Sequence, residues 1–106
     1  MFYKLKDKRI MEIKAKVKLI GEQKTGVSQN SGNEWKSRQI MLEWIDSEGT
    51  HRAWAALFNE QMESFVRQGI GANDSVTVRL RFSTRSFRNG FVSTEVMVEE
   101  INKINQ

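Results

Sequence analysis

The chain has 106 residues, 39% of them hydrophobic and 28% charged, with a formal net charge of +4; this is the size of one domain with a single core. It holds no cysteine and one histidine, which excludes disulfide frameworks, thiol nucleophiles, thiolate zinc sites and histidine-pair chemistry. No apolar run approaches the roughly 18 residues of a membrane span, and Lys4, Lys6, Lys8 and Arg9 stand against Asp7 alone in the first ten residues, so the remainder of the chain is close to neutral.

Residues 1–10 are read as a basic leader, disordered or an extension, and residues 11–104 as the domain, with Met11 a candidate natural start. The leader lacks the apolar stretch and cleavage site of a secretory signal, which favours the cytoplasm. From Met11 the period is two: Ile13, Ala15, Val17 and Leu19 alternate with Lys14, Lys16 and Lys18, a half-buried strand with a lysine-bearing outer face. Lys24–Asn33 is polar, glycine-containing and aperiodic, and predicts a flexible loop. Glu34–Ile45 reads as a second strand with Ile40, Leu42 and Trp44 on the inner face and Trp35, Ser37, Gln39 and Met41 on the other. Asp46–Gly49 is a turn and Thr50–Phe58 the returning strand. There Ala53, Ala55 and Leu57 share one parity, and Arg52, Trp54, Ala56 and Phe58 the opposite one.

The period then changes once. Asn59 predicts a capped helix with Met62, Phe65 and Val66 on its buried stripe, stopped at Gly69. After the loop Ile70–Asp74, Val76, Val78, Leu80 and Phe82 alternate with Thr77, Arg79, Arg81 and Ser83. Asn89-Gly90 predicts a two-residue hairpin into a last strand, Phe91–Glu100, with Val92, Thr94, Val96 and Val98 on one face. Three meandering strands, a helix between strands 3 and 4, and a closing hairpin make the chain all-β. They match the five-stranded OB-fold barrel.

Aliphatic residues satisfy the inward parity, so large aromatics on the other parity lack a core reason to be there. Trp35, Trp54, Phe58 and Phe91 fall on or near that outward set, and Phe87 precedes the hairpin turn. Lys36, Arg38, Arg52, Arg79, Arg81, Arg85 and Arg88 interleave with them, and from Val76 to Ser93 there are four arginines and no acid. Single-stranded nucleic acid suits this combination, because bases stack on aromatic faces at about 1–3 kcal/mol each while cations follow the phosphates. For Trp35, Trp54 and Phe58 a binding surface and a packing or dimer contact are both open readings, and exposed strand arginines are commonly just solvated. His51 beside the turn, and the carboxylates of Glu95, Glu99 and Glu100, assemble no acid–base pair. No phosphate loop, dinucleotide motif or metal-ligand cluster is present. An enzyme, a cofactor, a metal and a small-molecule substrate are therefore not expected.

The second half resembles bacterial single-stranded DNA-binding proteins. The stretches that carry this are His51-Arg52 leading to Leu57-Phe58, Arg67-Gln68-Gly69, Asp74–Val78, Ser83–Phe87 and Ser93–Val98, the last being the most specific. Upstream, Met11–Glu22 followed by Gly32–Trp35 is similar to a small group of uncharacterised bacterial proteins thought to share the OB fold. The resemblance implies that Phe58 matches a phenylalanine that stacks on DNA, that Phe87 falls where the family has a stacking tryptophan, and that Arg85 matches a basic position. Trp54 has no clean counterpart: the family's tryptophan directly precedes His-Arg, where this chain has Thr50. Replicative members end in a flexible linker and an acidic tail, and the resemblance here is read as one to the OB core without that tail. The resemblance thus points to an accessory, mobile-element or primosome-like role in DNA replication.

The expected nucleic-acid-binding set is Trp35, Lys36, Arg38, Trp54, Phe58, Arg81, Arg85, Phe87, Arg88 and Phe91. The expected partners are single-stranded DNA or RNA and a second copy of the chain, as homodimer or homotetramer, with no membrane. The competing reading is an OB-fold protein-interaction or assembly module without nucleic-acid binding, favoured by the near-neutral balance after Met11.

Overall fold

The computed structural model describes residues 3–4 and 10–104, without the side chains of Tyr3, Lys4 and Arg85. Six strands and one helix follow in the order β1 (Tyr3–Lys4), β2 (Ile10–Val27), β3 (Glu34–Asp46), β4 (Gly49–Phe58), α1 (Glu60–Arg67), β5 (Ser75–Ser86) and β6 (Val92–Lys103). The sheet order is β1-β2-β3-β4-β6-β5, and a further pairing of β2 with β5 closes the barrel on itself. The five long strands with α1 between β4 and β5 are the predicted OB fold. Closure removes the exposed edges that an open sheet of this size would present. Of the basic leader, Tyr3 and Lys4 pair with Glu12 and Met11 and Ile10 opens β2; its other residues lie outside the described ones.

Inward alternation builds the core. Ile13, Ala15 and Val17 of β2, Ile40 and Leu42 of β3, Ala55 and Leu57 of β4, and Val76, Val78 and Leu80 of β5 are all buried. Trp44, Phe82 and Val96 pack against them, as their parity predicts. The expected inward Leu19 is exposed instead, and Ile20 takes its place against the core. The cause is a bulge: Val17 faces Leu42 but Leu19 faces Met41, so Lys18 is extra and the parity flips after it. A second bulge works on β6, where Arg79 faces Glu100 and Leu80 faces Val98. Glu99 is the inserted residue, and Val98 and Ile101, three apart, both turn inward and are buried.

The helix plugs one end of the barrel through Met62 and Phe65, with Ile70 buried just beyond it. Val66, expected on the same stripe, is exposed, because eight residues seat on the barrel by a narrow face only. Gln61 Nε2 donates to the carbonyl of the bulged Glu99 at 3.0 Å. At the other end Gln68 donates from Nε2 to the Ile101 carbonyl and accepts from the Lys103 N–H, both at 2.8 Å. Asn59 does not cap the helix with its side chain. Its backbone takes φ 41°, and it bonds β3 instead: Oδ1 accepts from Lys36 N–H at 2.9 Å, and its own N–H donates to the Lys36 carbonyl at 3.0 Å.

Two hairpin arms run past the core. The predicted loop Lys24–Asn33 is strand through Val27, with Lys24, Thr25, Gly26 and Val27 facing Ser37, Lys36, Trp35 and Glu34. Only Ser28–Asn33 turn, closed by Ser28 N–H on the Asn33 carbonyl. The other arm is β5–β6 beyond Phe82 and Val96. Its turn is not the predicted two-residue Asn89-Gly90: Gly90 N–H bonds the Phe87 carbonyl and Phe87 N–H the Phe91 carbonyl. Gly90 sits at φ 82°, the left-handed residue that closes a three-residue hairpin loop. The last strand also runs on to Lys103, past the predicted end at Glu100.

Candidate nucleic-acid interface

The outer face of β4 is set by its register with β3: Trp54 lies opposite Met41, Ala56 opposite Gln39 and Phe58 opposite Ser37. Trp54 and Phe58 keep 44% and 37% of their surface exposed. The core beneath closes without either ring, so both are available as stacking platforms. They stand four residues apart on one strand, about 13 Å at the rise of an extended chain. Two further exposed rings, Phe87 and Phe91, frame the tip of the β5–β6 arm around exposed Arg88.

The arms leave opposite ends of this face. Ala56 pairs with Met97 in parallel, so β6 runs back toward its arm on the Trp54 side. The β2–β3 arm leaves on the Phe58 side, where Ser37–Phe58 is the last β3–β4 pair. Trp54 is therefore flanked by the phenylalanine-tipped arm and Phe58 by the arm carrying Trp35, Lys36 and Arg38.

On that second arm the predicted residues separate. Trp35 shares the outward parity of Ser37, and its ring lies across Gly26, its partner in the ladder. A Cβ built on Gly26 would come within 2.3 Å of the Trp35 ring, so one face of Trp35 is in use as packing and the side chain is half-buried. Lys36 and Arg38 alternate with it and point to the opposite, helix-facing side. Arg38 is half-buried, and its buried Nε has no hydrogen-bond partner among the described residues. Lys36 is exposed and, like Arg88, makes no ion pair among the described residues.

The arginines of β5 stand in a different setting from the one their own segment suggests. Val76–Ser93 contains no acid, but β6 brings three carboxylates beside it. Arg81 is ion-paired and hydrogen-bonded with Glu99. Arg79 lies between Glu12 at 3.7 Å and Glu100 at 3.5 Å. Glu95 is registered with Ser83. Arg85 faces Ser93 in the ladder, and its side chain lies outside the described residues. Sequence reasoning named these acids but missed their place beside the arginines because it counted charge along one strand, although the hairpin brings Glu95, Glu99 and Glu100 alongside β5.

The remaining polar contacts serve the fold. Arg52 Nε donates to Glu43 at 2.7 Å and holds that carboxyl below its ordinary value. His51 bonds Asp46 through Nε2 at 2.8 Å and stacks on Trp44, with ring centroids 5.6 Å apart. The His51 bond and the Glu48 N–H together lower the Asp46 pKa. Asp74 accepts from the Gly71 N–H at 2.8 Å, which lowers its pKa and pins the loop that leads into β5. His51 thus belongs to a turn-end cluster on the inner parity of β3, away from the β4 face.

Among solved structures the fold is similar to those of several small β-barrel domains. It matches the mitochondrial single-stranded DNA-binding protein Rim1 of S. cerevisiae with a TM-score of 0.58 and 18% identity, over 90% of this chain and 94% of that one. It matches the SSB domain of a Synechococcus sp. protein at 0.58 and 12% identity, over 88% and 92%. It also matches the second OB-fold domain of replication protein A from Methanococcus maripaludis at 0.56 and 19% identity, over 90% and 83%. No protein-family model matches the sequence, and no curated protein matches it. At identities this low the likeness concerns architecture, and the barrel closure, helix position and arms agree with it: the chain is an OB-fold protein.

Proposed function

We propose that this protein binds single-stranded DNA without catalysing a reaction, stacking bases on Trp54, Phe58, Phe87 and Phe91 and holding phosphates with Arg81, Arg85 and Arg88. Lys36 and Arg38, on the helix side of the β2–β3 arm, serve a DNA strand that continues past Phe58 around that arm. The observation that carries this reading is the exposure of Trp54 and Phe58 on the outer face of a barrel whose core is complete without them. The names of the structural neighbours support the ligand class. Trp35 contributes one ring face at most, since Gly26 covers the other. In this reading the protein acts as a homodimer or homotetramer in the cytoplasm of a bacterial cell, in an accessory replication role, because one small barrel covers few nucleotides.

A second reading, an assembly module that has lost DNA binding, is favoured by the ion pairs that neutralise Arg79 and Arg81. The experiment that separates them titrates the full chain with a thymidine oligomer, the matched duplex and the matched RNA, following tryptophan fluorescence at several salt concentrations. Quenching by the single strand with a steep salt dependence supports stacking plus phosphate contact. A folded protein that answers none of the three is the assembly module.

A further inference from the structure

A groove of about 380 Å³ lies between α1 and the β2–β3 arm, lined by Gln23, Lys36, Met62, Glu63, Val66 and Arg67. It is on the side of the arm opposite Trp35 and outside the β4 face described above. Three features give it the chemistry of a nucleotide. Its floor is apolar, with Met62 buried and Val66 exposed although it belongs to the helix's apolar stripe. Two cations, Lys36 and Arg67, stand at its rim, and neither makes an ion pair among the described residues. Glu63 supplies acceptors and Gln23 both donors and acceptors, the complement of a base edge.

The walls are also held at a fixed separation. Asn59 adopts a positive φ that a non-glycine residue takes at a cost and bonds both backbone groups of Lys36. That clamp joins one wall of the groove to the residue next to Phe58. It occupies the place where β3 runs past the end of β4, so a strand leaving Phe58 crosses the clamp to reach the groove.

We infer that this groove is a further nucleotide subsite of the same single strand, seating one base over Met62 and Val66 with its phosphate between Lys36 and Arg67. The inference rests on the single-stranded DNA reading and extends its path from the β4 face around the end of the barrel.

The test compares the full chain with Arg67→Gln and Val66→Asp over thymidine oligomers of increasing length. Both positions are exposed, so the variants keep the core intact, which circular dichroism and thermal melting check. The expected result is equal affinity for oligomers just long enough to cover Trp54 and Phe58, and a loss confined to longer ones. For those, Arg67→Gln flattens the log–log salt slope by about 0.7, the value of one phosphate contact on a single strand. Val66→Asp removes the length-dependent gain. If both folded variants follow the unmodified chain at every length, the groove is not a subsite and the β4 reading stands. If the unmodified chain binds no oligomer, the single-stranded DNA reading itself fails.

Discussion

Replacing Glu99 by glutamine tests whether the carboxylates of β6 limit nucleic-acid binding. Arg81 lies on the outer face in register with Met97, which is itself opposite Ala56 of β4, so it borders the β4 surface. Its guanidinium is held by Glu99, with the two side chains 40% and 28% exposed. A pair this exposed is worth about 0–1 kcal/mol to the fold, and glutamine keeps the size and one acceptor, so Glu99→Gln should melt close to the unmodified protein. Freed toward a phosphate, Arg81 gains a contact of the same exposed class, about 0.2–1 kcal/mol, or roughly 1.4-fold to fivefold in affinity at low salt. The log–log salt slope steepens by about 0.7, so between 50 and 200 mM salt the variant loses about 2.6-fold more affinity than the unmodified protein does. The structure supplies its own control. Arg79 sits between Glu12 and Glu100, so Glu100→Gln leaves it a partner and the slope unchanged. Fluorescence titrations at four salt concentrations measure both variants. A Glu99→Gln protein that binds with unaltered affinity and slope refutes the idea that the pair masks Arg81. Equal steepening by Glu100→Gln reduces the effect to net charge.

Phe58→Ala and Trp54→Ala should each weaken single-strand binding by about 1–3 kcal/mol with little change in melting temperature; full affinity in both, from folded proteins, removes β4 from the site. Gly26→Ala should displace the Trp35 ring, because the added methyl would meet it at 2.3 Å, and is read as a changed tryptophan emission maximum and a lower melting temperature; an unaltered spectrum means the ring does not lie on Gly26. Leu57→Ala, at a fully buried position, should cost about 2–5 kcal/mol in urea unfolding, and a loss well below that range would place Leu57 outside the core. Glu43, Asp46 and Asp74 have pKa values lowered in the fold by their hydrogen bonds, so their stabilisation is present above the unfolded value of about 4 and lost as pH falls through the folded values. Urea midpoints measured downward from pH 6 should fall below about pH 4, less steeply in Asp74→Asn; an identical acid profile in that variant would show that the Asp74 bond to Gly71 does not contribute.

The fold was legible because most of its strands show one face to the core and one to water. Val76, Val78 and Leu80, or Ile40 and Leu42, alternate without interruption, and the single change of period at Asn59 marks the helix. Where neither face meets the core the pattern vanishes: Lys24–Val27 pair with β3 through backbone bonds and, at Gly26, through the Trp35 ring laid across it, so their own side chains announce a loop. Bulges escape for a related reason. An inserted residue leaves no mark in composition, yet it turned Leu19 out, Ile20 in and Glu99 toward Arg81.

For the candidate site, outward parity placed Trp54 and Phe58 on the exposed face of β4, and local turn chemistry announced the arm that carries Phe87 and Phe91 at its tip. These follow from neighbours one to four residues apart, which a sequence displays directly. What lies across the sheet was decided only by the tertiary structure. It put Trp35 over Gly26, turned Lys36 and Arg38 toward the helix, and set Glu99 on Arg81 and Glu12 and Glu100 on Arg79. Period and parity are properties of one strand, whereas the charge a ligand meets depends on register, and register is fixed by bulges and barrel closure between residues far apart in the chain.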